Sequence, residues 1–332
     1  MFFMSTLATQ ISSAETLEIR HRRLVDRIIR RIIHFSAFAS IATILLIFVF
    51  VGKEAIPVFT SAEVRKEVTI KHMVLPQHYG SAEAPVPFMW QPVSEVPKYS
   101  LAPLLVGTLK VTIIAMLFAT PLSVLAAIYC TEFAPRWIRE IIKPAIELLA
   151  GIPSVVLGFF ALIVLASWIQ KVFGFDYRLN AINAGVALGL AVIPVMFTIM
   201  EDALTAVSRK QRDAARALGA SPWQTAWNVV LPSAIPGVFA GFILGFGRAM
   251  GETMVVLMAS GNAAITDWNF AESVRTVSAT IAAELAEVVF GSAHYHVLFM
   301  LGAMLFVFTF ILNSIGSYTI NRLRRRLTGA AA

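Results

Sequence analysis

The chain has 332 residues, 58% of them hydrophobic and 14% charged, a balance that excludes an ordinary soluble globular domain, where about a quarter of residues are charged. Its net charge of +7 sits in short segments beside long apolar blocks. That placement argues against nucleic acid as a partner and for orientation in a bilayer. A single cysteine, Cys130, excludes an intramolecular disulfide and a cysteine-based metal site.

In chain order, residues 1–34 read as a basic amphipathic segment on the cytoplasmic membrane face. Arg20, Arg22, Arg23, Arg27, Arg30 and Arg31 precede an apolar block of full spanning length, with no small-residue cleavage pattern after it. A retained first span is expected rather than a removed signal. Six apolar blocks follow at 35–51, 101–129, 143–170, 184–203, 233–259 and 296–319. Each has the length that a hydrocarbon core of roughly 30 Å demands of a helix. The expected fold class is all-α, a polytopic membrane protein of six transmembrane helices.

Between the first two spans, residues 52–100 carry Pro57, Pro76, Pro85, Pro87, Pro92 and Pro97, too many for a continuous helix. Phe88, Met89 and Trp90 point to short docked structure over an outer vestibule rather than a free linker. The segments assigned to one membrane face (1–34, 130–142, 204–232 and the tail) hold sixteen Lys and Arg, and those on the other face hold eight. The bias puts both termini in the cytoplasm. Gly185 and Gly189, then Gly241, Gly245, Gly247 and Gly251, place small residues on helix faces where spans approach closely.

The loop between the fourth and fifth spans reads RKQRDAARALGASPWQTAWNVVLP over 209–232. Its pattern predicts a helix ended by Gly219 and a second helix opened by Ser221-Pro222, which Leu231-Pro232 would end ahead of the fifth span. Asp213, Ala214, Ala215, Gly219, Val229, Leu231 and Pro232 stand at the spacing of the EAA loop, and the segment resembles that loop of ABC importer permeases. Asp213 replaces the usual Glu and Val229 the usual Ile. The resemblance implies that this loop docks on a separate ATPase subunit and transmits its closure to the spans.

Charges inside the spans are few. Arg248 and Glu252, four residues apart in GRAMGETMVVLMASGN, would share one helix face within ion-pair reach. A charge at membrane depth pairs or faces an aqueous path, and the guanidinium fork suits tetrahedral oxyanions. From charge alone, a substrate contact and a structural ion pair stand level. Lys110 reads as reaching the outer interface, Glu147 as a structural charge pairing with a neighbouring helix or subunit, and Glu201 and Asp202 as solvated or as cap contacts. His294 and His296 have no third ligand nearby, so no metal site is expected.

The stretch GRAMGETMVVLMASGN, with ELLAGIPSVVLGFF from Glu147 and VGTLKVTIIAMLFATPLSVLAAIY before it, is similar to the phosphate-specific ABC importer permease, C-type subunit. The likeness covers roughly residues 88–320. It implies a type I importer permease core over 101–320 containing the coupling loop 204–232, preceded by the first helix and outer loop (35–100) and followed by a basic cytoplasmic tail (321–332). It also implies that Arg248 and Glu252 lie on the substrate pathway, where the family requires the matching residues. The partners implied are a homologous second permease, an ATPase dimer, an extracytoplasmic phosphate-binding protein, inorganic phosphate and the lipid bilayer of the bacterial inner membrane. No GxxxxGK[ST] phosphate loop and no catalytic cluster occurs in the sequence, so no enzyme activity or cofactor is expected of this chain. ATP and Mg would belong to the ATPase. The alternatives are a permease for molybdate or sulfate and, from another class, an ion-coupled secondary transporter.

Overall fold

The computed structural model describes the backbone of residues 2–77, 79–81 and 84–328, and the side chains of 26–77 and 86–325. Helix α1 (Phe2–Ala55) is one continuous run of 54 residues, so no break separates the basic N-terminal segment from the first span. The amphipathic face expected there falls largely on side chains outside those described, as does the end of the tail. Residues 54–332 form one compact unit.

The proline-rich outer segment folds into short pieces, as its breakers require. These are α2 (Pro57–Thr60), α3 (Ala62–Glu67), α4 (Ile70–Val74) and two antiparallel ribbons. One ribbon pairs β1 (Tyr79–Ser81) with β2 (Ala84–Val86), the other β3 (Trp90–Gln91) with β4 (Lys98–Tyr99). Val58, Val64, Val68, Met73, Trp90 and Tyr99 bury their side chains in one cluster with Leu104, Val297, Leu298 and Leu301. The segment is therefore a docked cap over the ends of the second and sixth spans.

The second span is α5 (Ala102–Ile128) extended by a wide turn π1 (Tyr129–Phe133). Helix α6 (Arg136–Ala150) follows, and the third span comprises α7 (Ser154–Phe160), π2 (Ala161–Leu165) and α8 (Ala166–Phe173). The expected span over 143–170 thus merges two elements. Gly151-Ile152-Pro153 breaks the helix, because Pro153 offers no N–H and disfavours helical backbone at Ile152. The span starts at Ser154, and Lys143 joins the basic side of the protein.

The fourth span, α9 (Ala181–Thr205), begins with Asn180, whose side chain accepts from the Asn183 N–H. Then come α10 (Arg209–Ala217), α11 (Pro222–Thr225), π3 (Ala226–Val230), α12 (Leu231–Gly251), α13 (Met254–Ala259), α14 (Val277–Glu284) and α15 (Ala293–Thr328). Among the described residues, six helical stretches are long and apolar enough to cross a membrane: Asp26–Thr60, Ala102–Phe133, Ser154–Phe173, Ala181–Thr205, Pro222–Gly251 and Ala293–Arg325.

Helix α9 is the hub, with 61% of its most apolar window buried. Its glycines explain why. A methyl at Gly185 would stand 2.5 Å from the Ile114 side chain, and one at Gly189 2.7 Å from Phe118, both on α5. On α12, Gly241 faces Met200 and Gly245 faces Met196 of α9 at comparable distances. The four-residue glycine spacings seat α5 and α12 against α9, where dispersion contacts replace the hydrophobic drive that lipid removes.

Lys110 departs from its expected place at the interface. It is 1% exposed, and its Nζ donates to the Asp267 carbonyl at 2.9 Å and the Asn269 carbonyl at 2.7 Å. A buried ammonium requires such partners, and the loop between α13 and α14 supplies them. Lys110 therefore fastens that loop to α5.

Candidate functional site

The coupling-loop residues are held by local chemistry at nearly every joint. Ser208 caps α10, its Oγ accepting from the Lys210 N–H at 3.2 Å. The helix ends at Gly219, whose φ of +86° belongs to the left-handed region that lacks a Cβ penalty only for glycine. A capping box then starts α11. The Gln224 N–H donates to Ser221 Oγ at 3.2 Å, and the Ser221 N–H to Gln224 Oε1 at 2.9 Å.

From Pro222 the helix runs unbroken into α12, so Leu231-Pro232 does not end it, contrary to expectation. The wide turn π3 shifts the hydrogen-bond register just before Pro232, where the missing N–H would otherwise leave a gap. Asp213 and Ala214 are exposed, Ala215 is buried, and Leu218 stands 90% exposed at the tip. Asp213, Ala214, Gly219 and Leu218 thus form a presented surface, while Leu231 packs against the core.

One residue that sequence reasoning passed over fixes the whole loop. Arg212 Nη2 stands 2.8 Å from Glu132 Oε1, and its Nε 3.1 Å from the same atom. Arg212 also donates to the Leu204 carbonyl at 2.8 Å and to the Val207 carbonyl. The side chains are 14% and 5% exposed, so the bidentate pair clamps α10 onto π1 at the end of the second span. The signal available was the lone Glu132 in an apolar stretch. Nearby, Glu201, expected to be solvated, is instead buried and pairs with Lys143 Nζ at 2.8 Å. That hydrogen bond raises the Lys143 pKa.

The fifth span ends differently. Helix α12 stops at Gly251, and Glu252 has extended backbone (φ −70°, ψ 133°). Its carbonyl accepts from Ser278 Oγ at 2.7 Å, holding the break open toward α14. The shared helix face expected for Arg248 and Glu252 is therefore absent, and they form no ion pair. Among the described residues Arg248 has no carboxylate within 4.0 Å, and it is exposed on the surface of the chain. Glu147 is likewise exposed on α6 without an ion-pair partner among the described residues.

A second polar group stands near Arg248. A methyl added at Gly247 would lie 3.4 Å from Asn313 Oδ1, so the Asn313 amide rests on the α12 backbone one residue from Arg248. Asn313 is exposed, and Ser314 and Ser317 continue a polar strip along α15. An amide followed by two serines in the last apolar block was the signal in the sequence, and it went unused.

At the cap, Glu284 gathers Arg275 (2.6 Å), His294 Nε2 (2.9 Å) and Trp90 Nε1 (3.1 Å). Burial, with Glu67 and Glu284 nearby, pushes the Tyr99 pKa up to about 12. His296 Nδ1 lies 2.8 Å from the Glu54 carbonyl. These histidines anchor the cap, and no group of three metal-binding side chains occurs among the described residues.

Comparison with known proteins gives this geometry its context. The chain is 36% identical over 259 residues to "Phosphate transport system permease protein PstC" of Xylella fastidiosa (strain Temecula1 / ATCC 700964), covering 71% of this chain and 78% of that protein. It is 33% identical over 232 residues to "Probable ABC transporter permease protein YqgH" of Bacillus subtilis (strain 168), covering 69% and 75%. Among solved structures, a chain of the MetNI methionine ABC transporter in an inward-facing conformation aligns with TM-score 0.51 and 18% identity, over 67% of this chain and 94% of that one. A chain of a bacterial alginate ABC transporter aligns with TM-score 0.55 and 13% identity, over 88% and 96%. At those identities the structures establish the fold, that of ABC importer permeases. Residues 119–325 match the family described as binding-protein-dependent transport system inner membrane component, and with the coupling loop and the six spans inside or beside that match, the chain belongs to this family.

Proposed function

We propose that this chain is the translocating subunit of an ATP-driven importer of inorganic phosphate, with Arg248 as the phosphate contact. The observation that carries the reading is the Arg248 guanidinium, exposed within a membrane span without a carboxylate partner among the described residues and beside a break in the helix. A charge left so in hydrocarbon is costly, and an aqueous path or a facing subunit removes that cost. The names of the curated relatives point to phosphate as cargo. Arg248 offers it a planar donor fork, Asn313 adds a neutral donor, and Glu252 at the break moderates the anion's affinity. A homologous permease closes the path, an extracytoplasmic binding protein delivers phosphate, and an ATPase dimer binds ATP and Mg and docks on Asp213, Ala214 and Gly219, with Ala215 buried in the same helix. Leu231 and Pro232 carry its movement into α12. Both termini are cytoplasmic.

Labelled-phosphate uptake, normalised to assembled complex in membranes, tests this reading. Arg248→Gln abolishes uptake and Glu252→Gln lowers it. The double variant stays inactive while assembling normally, because no ion pair is there to be rebalanced. Near-normal uptake by Arg248→Gln overturns the contact. Inhibition of uptake by molybdate or sulfate as strongly as by unlabelled phosphate overturns the cargo.

A further inference from the structure

A cluster of arginines at the membrane boundary is not used by the path or by the presented face of the coupling loop. A cavity of about 300 Å³ opens between α10 and π1, and Arg139, Arg209, Arg212 and Arg216 line it against the single carboxylate of Glu132. Arg212 neutralises Glu132. Arg139 is partly occupied, its Nε donating to the Ala134 carbonyl at 3.0 Å and its Nη2 to the Thr131 carbonyl at 2.5 Å. Arg209 and Arg216, seven residues apart and hence on one face of α10, have no ion-pair partner among the described residues. Asp213 on the same helix is within 4.0 Å of neither. The cavity therefore presents unneutralised guanidinium groups to whatever enters it.

Its depth is set by the spans. Thr131 and Glu132 lie in the last turn of the second apolar stretch and Thr205 ends the fourth, so the cavity lies at one end of the spans. Its surroundings are those of an interface. Phe133, next to Glu132, packs on Trp223 at 5.9 Å, and Trp223 on Trp227 at 5.4 Å, with Phe133 and Trp223 partly exposed. Such aromatic groups settle at the membrane–water boundary. Helix α6, which supplies Arg139, exposes Trp137, Ile141 and Leu148 while carrying Arg136, Arg139 and Lys143, the pattern of a helix lying in the interface.

We propose that this cavity binds the phosphate headgroup of an anionic phospholipid, with the acyl chains against Phe133 and Trp223. Basic pockets at the cytoplasmic ends of spans suit such headgroups, and guanidinium groups make charge-assisted bonds to phosphate oxygens. Free phosphate shares the headgroup chemistry but gains nothing from the aromatic flank. The inference rests on the orientation proposed above, which places Arg209 and Arg216 at the cytoplasmic leaflet. Because those arginines share α10 with the ATPase-docking residues, a bound lipid would brace the loop against π1.

The test uses the assembled transporter purified in detergent and washed, with retained phosphatidylglycerol counted by native mass spectrometry. The wild-type complex is expected to retain it in preference to phosphatidylcholine. Arg209→Gln and Arg216→Gln should each lower retention about fivefold, the weight of one basic residue beside an anionic leaflet. Each single variant is taken only at wild-type assembly, so lost folding is not read as lost binding. Equal retention by wild type and both variants overturns the proposal. Displacement of the lipid from wild type by millimolar inorganic phosphate also overturns it, in favour of a free-anion site. Crosslinking from position 209 to the ATPase, with no lipid retained, overturns it in favour of an acidic protein surface. Cysteine labelling of the two membrane faces tests the orientation separately.

Discussion

The two ends of the fifth span are built in opposite ways. At the coupling loop, the turns are capped, Gly219 takes a left-handed conformation that would strain any other residue, and the Arg212 charge is neutralised by Glu132. At the other end, α12 stops at Gly251, Glu252 leaves the helix, and Arg248 has no ion-pair partner among the described residues. The role proposed for the loop, to transmit force between proteins, gains from having no loose joint. The proposed anion contact gains from a charge that no carboxylate among the described residues neutralises. The contrast gives one span a rigid end and an available end.

The largest effect expected from breaking this contrast comes from Glu132→Gln. It leaves a buried guanidinium without its counter-charge, a change that costs about 3–5 kcal/mol when such a pair is broken. The complex should lose thermal stability in detergent, and the ATPase should no longer co-purify. An unchanged melting midpoint with full ATPase recovery would show that Arg212 is held by its carbonyl contacts alone.

Gly219→Leu should come next. A left-handed backbone costs a bulky residue roughly 1–2 kcal/mol, although open space surrounds the position. Membrane insertion should be normal while ATPase co-purification and uptake fall. Uptake at the wild-type level would make the loop a connector only.

Arg248→Gln sharpens the comparison from the other side. As an exposed, unpaired group, its loss should change stability by less than about 0.5 kcal/mol, so an inactive transporter should melt where wild type does. A clear drop in midpoint would reveal a structural partner in the sister permease. Asn313→Ala should be milder still: the uptake KM rises while maximal rate and assembly stay near normal, as for a lost neutral donor. A fall in assembly instead would place Asn313 in a subunit contact.

Topology is tested apart from these. A cysteine at Val93, 90% exposed in the outer cap, should react with an impermeant thiol reagent in intact cells, and one at Ser208 should not. Equal labelling would overturn the orientation.

How much of this was legible in the sequence depends on the range of the interactions. The six spans, the cap at Ser221, the turn at Gly219 and the glycine seams at 185/189 and 241/245 are written in residue type and spacing, because each rests on lipid thickness or on a few neighbouring dihedrals. The break at Pro153 was equally local and was overlooked because apolar content on both sides hid it. Burial of Lys110, pairing of Glu132 with Arg212 and of Glu201 with Lys143, and separation of Arg248 from Glu252 could not be read that way. Arg212 and Glu132 are 80 residues apart, and which charge meets which depends on how helices pack. Ser278 holds the carbonyl of Glu252 from a different element, and that contact accompanies the end of the α12 helical face four residues past Arg248. Sequence alone determined that the chain crosses a membrane six times and presents a turn built around Gly219, since hydrophobic length and backbone sterics are properties of short segments. Tertiary structure alone decided which charges are neutralised and which remain available, since a buried charge takes its partner from whatever the fold brings within a few ångströms.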